Sequence, residues 1–168
     1  MVTPRRDNRL GFTLVEAMIT AAILGVLAMV GPSVLTQVNR FFIQSSGRSD
    51  MEKESRAVMY VINRNLHEGQ SNTIIIDRYG ANQPFSSRIT FTKIQGTTMS
   101  FYQNGKNLIQ LASGNSKILS KNVRYLAFSF PRTDDMTIVS VAVTLEKTIY
   151  SGQTTALHVA SERVRVMN

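Results

Sequence analysis

An α+β fold, with a long N-terminal helix laid across an antiparallel sheet, is what this sequence predicts, and three patterns predict it. From Phe12 to Val30 there is one charged residue, Glu16. Around Val58, Met59, Ile62 and Leu66, apolar side chains recur at helical spacing. After Gly69 the period becomes alternating, in short runs separated by turn residues.

The apolar run is long enough, as a helix, to cross the hydrocarbon core of a bilayer. Arg5, Arg6 and Arg9 precede it against a single Asp7. A basic flank holds that end in the cytoplasm, so the body of the chain belongs on the far side. Glu16 is the odd residue. A carboxylate in a membrane segment costs roughly 2.5–3.5 kcal/mol on insertion scales. No Lys or Arg follows within the run, so its partner must come from elsewhere. If the chain is cut before Phe12, the new α-amino group is a cation just ahead of the helix. Two chains offset along their axes could then pair the amine of one with Glu16 of the other, in a low dielectric. The run therefore reads as an assembly signal as well as an anchor.

The basic leader, the stretch Gly11-Phe12-Thr13-Leu14-Val15-Glu16 and the apolar helix together resemble the type IV prepilin signal. The resemblance implies cleavage by prepilin peptidase between Gly11 and Phe12, methylation of the Phe12 amine, and a role for Glu16 in guiding subunit addition to a filament. The signal is shared by major and minor pilins and by the pseudopilins of type II secretion and competence. Two other readings stand beside it. A cleaved secretory signal would have a shorter apolar core and a small-x-small site at its end. A plain single-pass anchor would leave Glu16 unexplained.

Gly25 and the pair Gly31-Pro32 interrupt the run, and proline kinks or weakens a helix. Gly31 and Pro32 are thus expected to mark a break; family resemblance adds that this segment bends or melts when the subunit leaves the bilayer. Val34, Leu35, Val38, Phe41 and Phe42 carry a helical apolar face onward. Ser49-Asp50-Met51-Glu52 reads as a capping box. Either the helix is continuous with a weak point at Gly47, or a second helix begins at Ser49. Ser55, Val58, Met59, Ile62 and Leu66 form the stripe that must be buried. Glu52 and Arg56 form an i, i+4 pair on the wet side, and Gly69 is a natural stop.

Candidate strands follow at 73–77, 88–94, 97–103, 107–111, 123–130, 138–145 and 157–166. Asn104-Gly105 signals a type I′ hairpin turn. Thr133-Asp134-Asp135 reads as the tip of another hairpin. In the last strand the apolar phase shifts between Val159 and Val164, which predicts a bulge or a bend. The expected layout is a leader over 1–11, a transmembrane and assembly helix over 12–35, an amphipathic continuation over 36–69, and an antiparallel sheet domain over 70–168. That order resembles the pilin fold. The segments Arg56–Leu66, Asn122–Phe130 and Arg163–Asn168 are similar in pattern to the W-type minor pilins and the J-type minor pseudopilins.

Composition narrows the chemistry. The chain has 19 Lys plus Arg, 11 Asp plus Glu, and no cysteine. Removing residues 1–11 takes away three basic residues and one acidic one, lowering the net charge from +8 to +6. Without cysteine there is no disulfide framework, thiolate metal site or Cys nucleophile. Many pilins of long surface fibres close their C-terminal region with a disulfide, so this resemblance points to a minor or periplasmic member.

His67 and His158 lack a partner at ligand spacing, and Asp134-Asp135 falls short of the six to eight oxygens calcium takes. No phosphate loop or nucleophile elbow occurs. No cofactor, metal or enzyme activity is expected. The basic residues are scattered, without a Lys/Arg block interleaved with aromatics, which favours a solubilising surface over nucleic-acid binding. A DNA-binding tip subunit using Lys117, Lys121 and Arg124 is the first rival reading, and an unrelated membrane-anchored binding module the second.

The expected protein is a structural subunit of the bacterial inner membrane, N-terminus inside and sheet domain periplasmic, that passes into a pilus or pseudopilus. Its partners would be prepilin peptidase, sister pilins along the N-terminal helix, an inner-membrane assembly platform, and lipid before assembly.

Overall fold

A computed structural model describes residues 12–150 and 154–166; the leader, and Gly11 with it, lies outside the described residues. The chain divides into two compact units, one ending at Phe42 and the other running from Ile43 to Asn168. Helix α1, Leu14–His67, contributes residues to both.

From Ala17 to Leu35 the helix of the first unit is almost wholly apolar, Gln37, Asn39 and Arg40 follow before Phe42, and the side chains are open. An 18-residue window has a mean hydropathy of 2.2 and none of it is buried. The expected break at Gly31 and Pro32 does not form: α1 is continuous through Gly25, Gly31 and Pro32. The missing N–H leaves Ala28 O one donor short, and the nearby hydroxyls bond other carbonyls of the helix. Ser33 Oγ donates to Val30 O at 2.7 Å, and Thr36 Oγ1 donates to Ser33 O at 2.8 Å and to Pro32 O at 3.1 Å.

In the second unit the helix buries one stripe. Ser55, Val58, Met59, Ile62 and Leu66 are buried as the spacing predicts, and Met51 joins them one turn earlier. No second helix begins at Ser49. Gly47 sits inside α1 as a point of close approach: a Cβ there would lie 3.0 Å from Ile149 Cδ1. Glu52 and Arg56 pair as expected. The helix ends at His67, and Gly69 N–H donates to Leu66 O at 2.9 Å.

Two antiparallel sheets complete the core. Strands β1 (Ile75–Asp77), β2 (Arg88–Thr92), β3 (Thr98–Asn104), β4 (Asn107–Ala112) and β5 (Asn115–Ser120) form one in sequential order. Strands β6 (Val123–Ser129), β7 (Ile138–Tyr150) and β8 (Thr154–Arg165) form the other. Ile89, Phe91 and Phe101 from the first sheet, and Leu126, Phe128, Val141 and Val143 from the second, meet Ile62 and Leu66 of the helix in one cluster.

Several expectations are corrected. Residues 73–77 are a short 3-10 turn, Ser71–Thr73, followed by the three residues of β1. Strand β5 was not foreseen. The β3–β4 turn is centred on Gly105-Lys106, since Asn104 pairs with Asn107. Gly105 has φ +60, while Lys106 is not among the residues with positive φ, so the turn is of the II′ kind, with glycine first. The type I′ requirement, positive φ at both central residues, is met instead at Ser113 (φ 48) and Gly114 (φ 83), between β4 and β5. The bulge expected between Val159 and Val164 is absent; the β7–β8 register shifts only between Thr148 and Tyr150. The change of apolar phase arises because Leu157 and Val159 face outward, 51% and 65% exposed, while Val164 faces the core.

The sheets are joined through polar groups at the edge of β6. Gln103, 4% exposed, inserts its side-chain amide there. Its Oε1 accepts from Leu126 N–H at 3.0 Å, and its Nε2 donates to Gly105 O at 2.9 Å and Arg124 O at 3.3 Å. Phe128 N–H donates to Ser86 O at 2.8 Å, while within the first sheet Gln103 N–H donates to Ser87 O at 3.1 Å. Side-chain amide and loop carbonyls thus satisfy buried backbone groups where no strand pairs with β6.

Candidate processing and assembly site

The start of α1 is set by Thr13. Its Oγ1 accepts from Glu16 N–H at 3.3 Å, and its carbonyl accepts from Ala17 N–H at 3.1 Å. Thr13 is therefore the N-cap, with Leu14 the first helical residue and Glu16 the third. Phe12 stands just outside the helix and is 76% exposed. Glu16 is the acidic residue of the first turn, where the partial positive charge of the helix terminus favours a carboxylate. Sequence reasoning missed the cap, although Thr13-x-x-Glu16 before an apolar run is the pattern that signals one. Glu16 was read for its cost in lipid and its pairing with a neighbouring amine, not as part of a cap.

Around this terminus the surface is apolar. Leu14, Val15, Met18 and Ile19 are 80%, 64%, 66% and 56% exposed. Such a surface on all sides of a helix is unstable in water and needs lipid or other helices. Gly31 and Pro32 lie inside the same continuous helix.

The remaining singled-out residues sit elsewhere. His67 closes α1, its Nδ1 2.7 Å from Arg165 O; the carbonyl can only accept, so Nδ1 carries the proton. His158 lies on β8, paired in register with Leu145. Asp134 pairs with Arg132. Asp135 accepts from the hydroxyl and the backbone N–H of Thr137, and those bonds, with help from Arg165 and Arg132, hold its carboxyl below the usual range. Lys117 is exposed on β5 and Lys121 is exposed just after it, while Arg124 on β6 faces Glu146. Among the described residues, no group of three or more His, Asp or Glu is placed to hold a metal.

Cap, acid and exposed apolar helix, set ahead of a helix-on-sheet domain, define a class: a protein built to be held by its N-terminal helix. The family description "Prokaryotic N-terminal methylation motif" matches residues 6–31. Over those residues the chain is similar to the N-terminal segment of type IV pilins and pseudopilins, and its helix-on-sheet order is pilin-like. No curated protein and no solved structure matches it significantly. Pilins that carry the motif are non-enzymatic structural subunits, and the motif implies processing by prepilin peptidase and assembly with other pilins. The apolar helix and the motif fit anchoring in the inner membrane before assembly.

Proposed function

We propose that this chain is a minor structural subunit of a type IV pilus or of a type II secretion pseudopilus. It enters the inner membrane with its leader in the cytoplasm and its sheet domain in the periplasm. Prepilin peptidase cuts between Gly11 and Phe12, and the Phe12 amine is methylated. An inner-membrane platform then moves the helix out of lipid into a bundle of sister helices. Glu16 pairs with the Phe12 amine of a neighbour and sets the axial offset. Gly31 and Pro32 lend the helix a place to bend in transit. The observation that carries this reading is an acid placed one turn into a helix whose apolar surface is open on every side.

Mass spectrometry of the protein from its host envelope is expected to find a mature chain beginning at methyl-Phe12. Gly11→Leu should leave the leader attached; normal trimming in that variant would refute the cleavage site. Glu16→Val should be cleaved normally yet enter filaments at a small fraction of the parent level, and normal incorporation would refute the pairing.

A further inference from the structure

The second unit contains a cleft of about 520 Å³ between the last three turns of α1 and the C-terminal half of β8. Arg56, Tyr60 and Arg64 line one wall at i, i+4 and i+8. Arg163 and Arg165 line the other, two apart on the strand, and Glu162 lies between the walls. The walls are fixed by two bonds across the cleft: Asn63 Nδ2 donates to Glu162 Oε2, and His67 Nδ1–H donates to Arg165 O.

The charges are not balanced within the cleft. Arg56 has Glu52 beside it, but its side chain is 78% exposed; Arg64 is 4.0 Å from Glu68, and Lys93 holds that carboxylate closer, at 2.8 Å. Arg165 lies near Asp135. Arg163 is exposed and makes no ion pair with the described residues. Four guanidinium groups thus share one groove with one acid, and that acid is already hydrogen-bonded to Asn63.

We propose that this cleft binds a single strand of nucleic acid. Guanidinium forks match phosphate oxygens. The strand arginines are about 6.6 Å apart along the backbone and the helix arginines about 12 Å apart. That spread follows a chain of repeating charges and does not converge on a single anion. Tyr60, 66% exposed between Arg56 and Arg64, offers a bare aromatic face for a base. A basic groove with a stacking ring is how single strands are held without sequence preference. An acidic peptide would use the arginines and leave the ring idle, whereas a nucleotide uses both.

The full chain in neutral detergent, titrated into fluorescein-labelled oligo-dT, tests this by anisotropy. With four phosphates neutralised, the log–log salt slope should be roughly −2.8. Arg163→Ala with Arg165→Ala should weaken binding at least tenfold at low salt and bring the slope to roughly −1.4. Arg56→Ala with Arg64→Ala, on largely exposed helix positions, should do the same and serves if the strand pair misfolds. Tyr60→Ala should weaken binding about fivefold or more while leaving the slope unchanged. Lys117→Ala with Lys121→Ala should stay within twofold of the parent. The proposal is overturned if both arginine pairs bind within twofold of the parent, or if the Lys117 and Lys121 pair carries the binding. It is also overturned if polyglutamate or a sulfated polysaccharide binds as tightly as oligo-dT.

Discussion

The side chain of Gln103 stands in for a missing strand, and Gln103→Leu isolates what that is worth. Leucine is close in volume, so the change leaves little cavity and removes chiefly the amide. Three bonds go with it: those of Leu126 N–H, Gly105 O and Arg124 O. They are not equivalent. Gly105 and Arg124 are exposed, and water replaces the amide at their carbonyls. Leu126 is 0% exposed, so its N–H is left buried and without an acceptor. An orphaned buried donor costs about 1–3 kcal/mol. At about 2–4 °C per kcal/mol for a chain of this size, the midpoint should fall by several degrees.

Urea titration of the full chain in neutral detergent, followed by near-ultraviolet circular dichroism of the tyrosines, measures the loss. Gln103→Glu sharpens the test. It keeps an acceptor for Leu126 N–H but turns the two donated bonds into contacts between oxygens and puts a charge in a nearly closed site. It should be less stable than Gln103→Leu at neutral pH and regain ground on acidification, as the protonated acid recovers a donor. A Gln103→Leu variant within 0.5 kcal/mol of the parent, well inside the about 1–3 kcal/mol expected, would refute the bridging role.

Two further outcomes follow from local geometry. Gly69→Ala would set a Cβ 2.8 Å from Phe91 Cδ2 and 3.0 Å from Leu66 O; the carbonyl belongs to the helix end and cannot yield, so the same urea titration should show a loss of about 1–3 kcal/mol. Gly80→Ala, with nothing within 4 Å, is the control and should be close to neutral. Asp77 is held below the usual carboxylate range, chiefly by its hydrogen bond from Arg88. A lowered folded pKa contributes stability that is present above about pH 4 and lost as pH falls through the folded value. Asp77→Asn should therefore be less stable than the parent at neutral pH and show a shallower acid limb below about pH 4. Parallel limbs in the two proteins would contradict the Asp77–Arg88 pairing. The effect should be modest, because Asp77 is 38% and Arg88 33% exposed.

Periodicity made most of the second unit legible. The stripe from Ser55 to Leu66 and the alternation of Val139, Val141, Val143 and Leu145 each depend on one element facing one core, and each is buried as read. Turn chemistry was legible in kind but not in place. Asn104-Gly105 promised a type I′ turn, yet the register pairs Asn104 with Asn107 and moves the centre by one residue. Ser113-Gly114, a less familiar pair, took the type I′ geometry and carried the unforeseen β5 with it. That strand is mostly exposed, so it has no alternation to announce it. Proline at position 32 was read by its own lost donor, and one lost bond did not end a helix of 54 residues. The arginine cleft was beyond any window: Arg56 and Arg64 meet Arg163 and Arg165 only because β8 returns alongside the helix.

Helix α1 is divided by what covers it. From Gly47 onward its apolar stripe faces the chain's own sheets, and residues such as Ile62 and Leu66 are fully removed from water. Up to Phe42 no side chain is buried, and Phe41 and Phe42 are 72% and 70% exposed. The two stretches are one run of backbone hydrogen bonds, so the difference is not one of helix stability. It is one of partner. The later stretch is satisfied by a single chain, while the earlier one carries apolar surface that only lipid or other helices can take. Thr13 caps that earlier stretch from within the chain, which leaves two strong polar demands on whatever covers it, the Glu16 carboxylate near its start and Arg40 near its end. The surface between them, nearly uniform, discriminates poorly among apolar neighbours around the helix. Along the axis it discriminates sharply, because only one height places a cation beside Glu16.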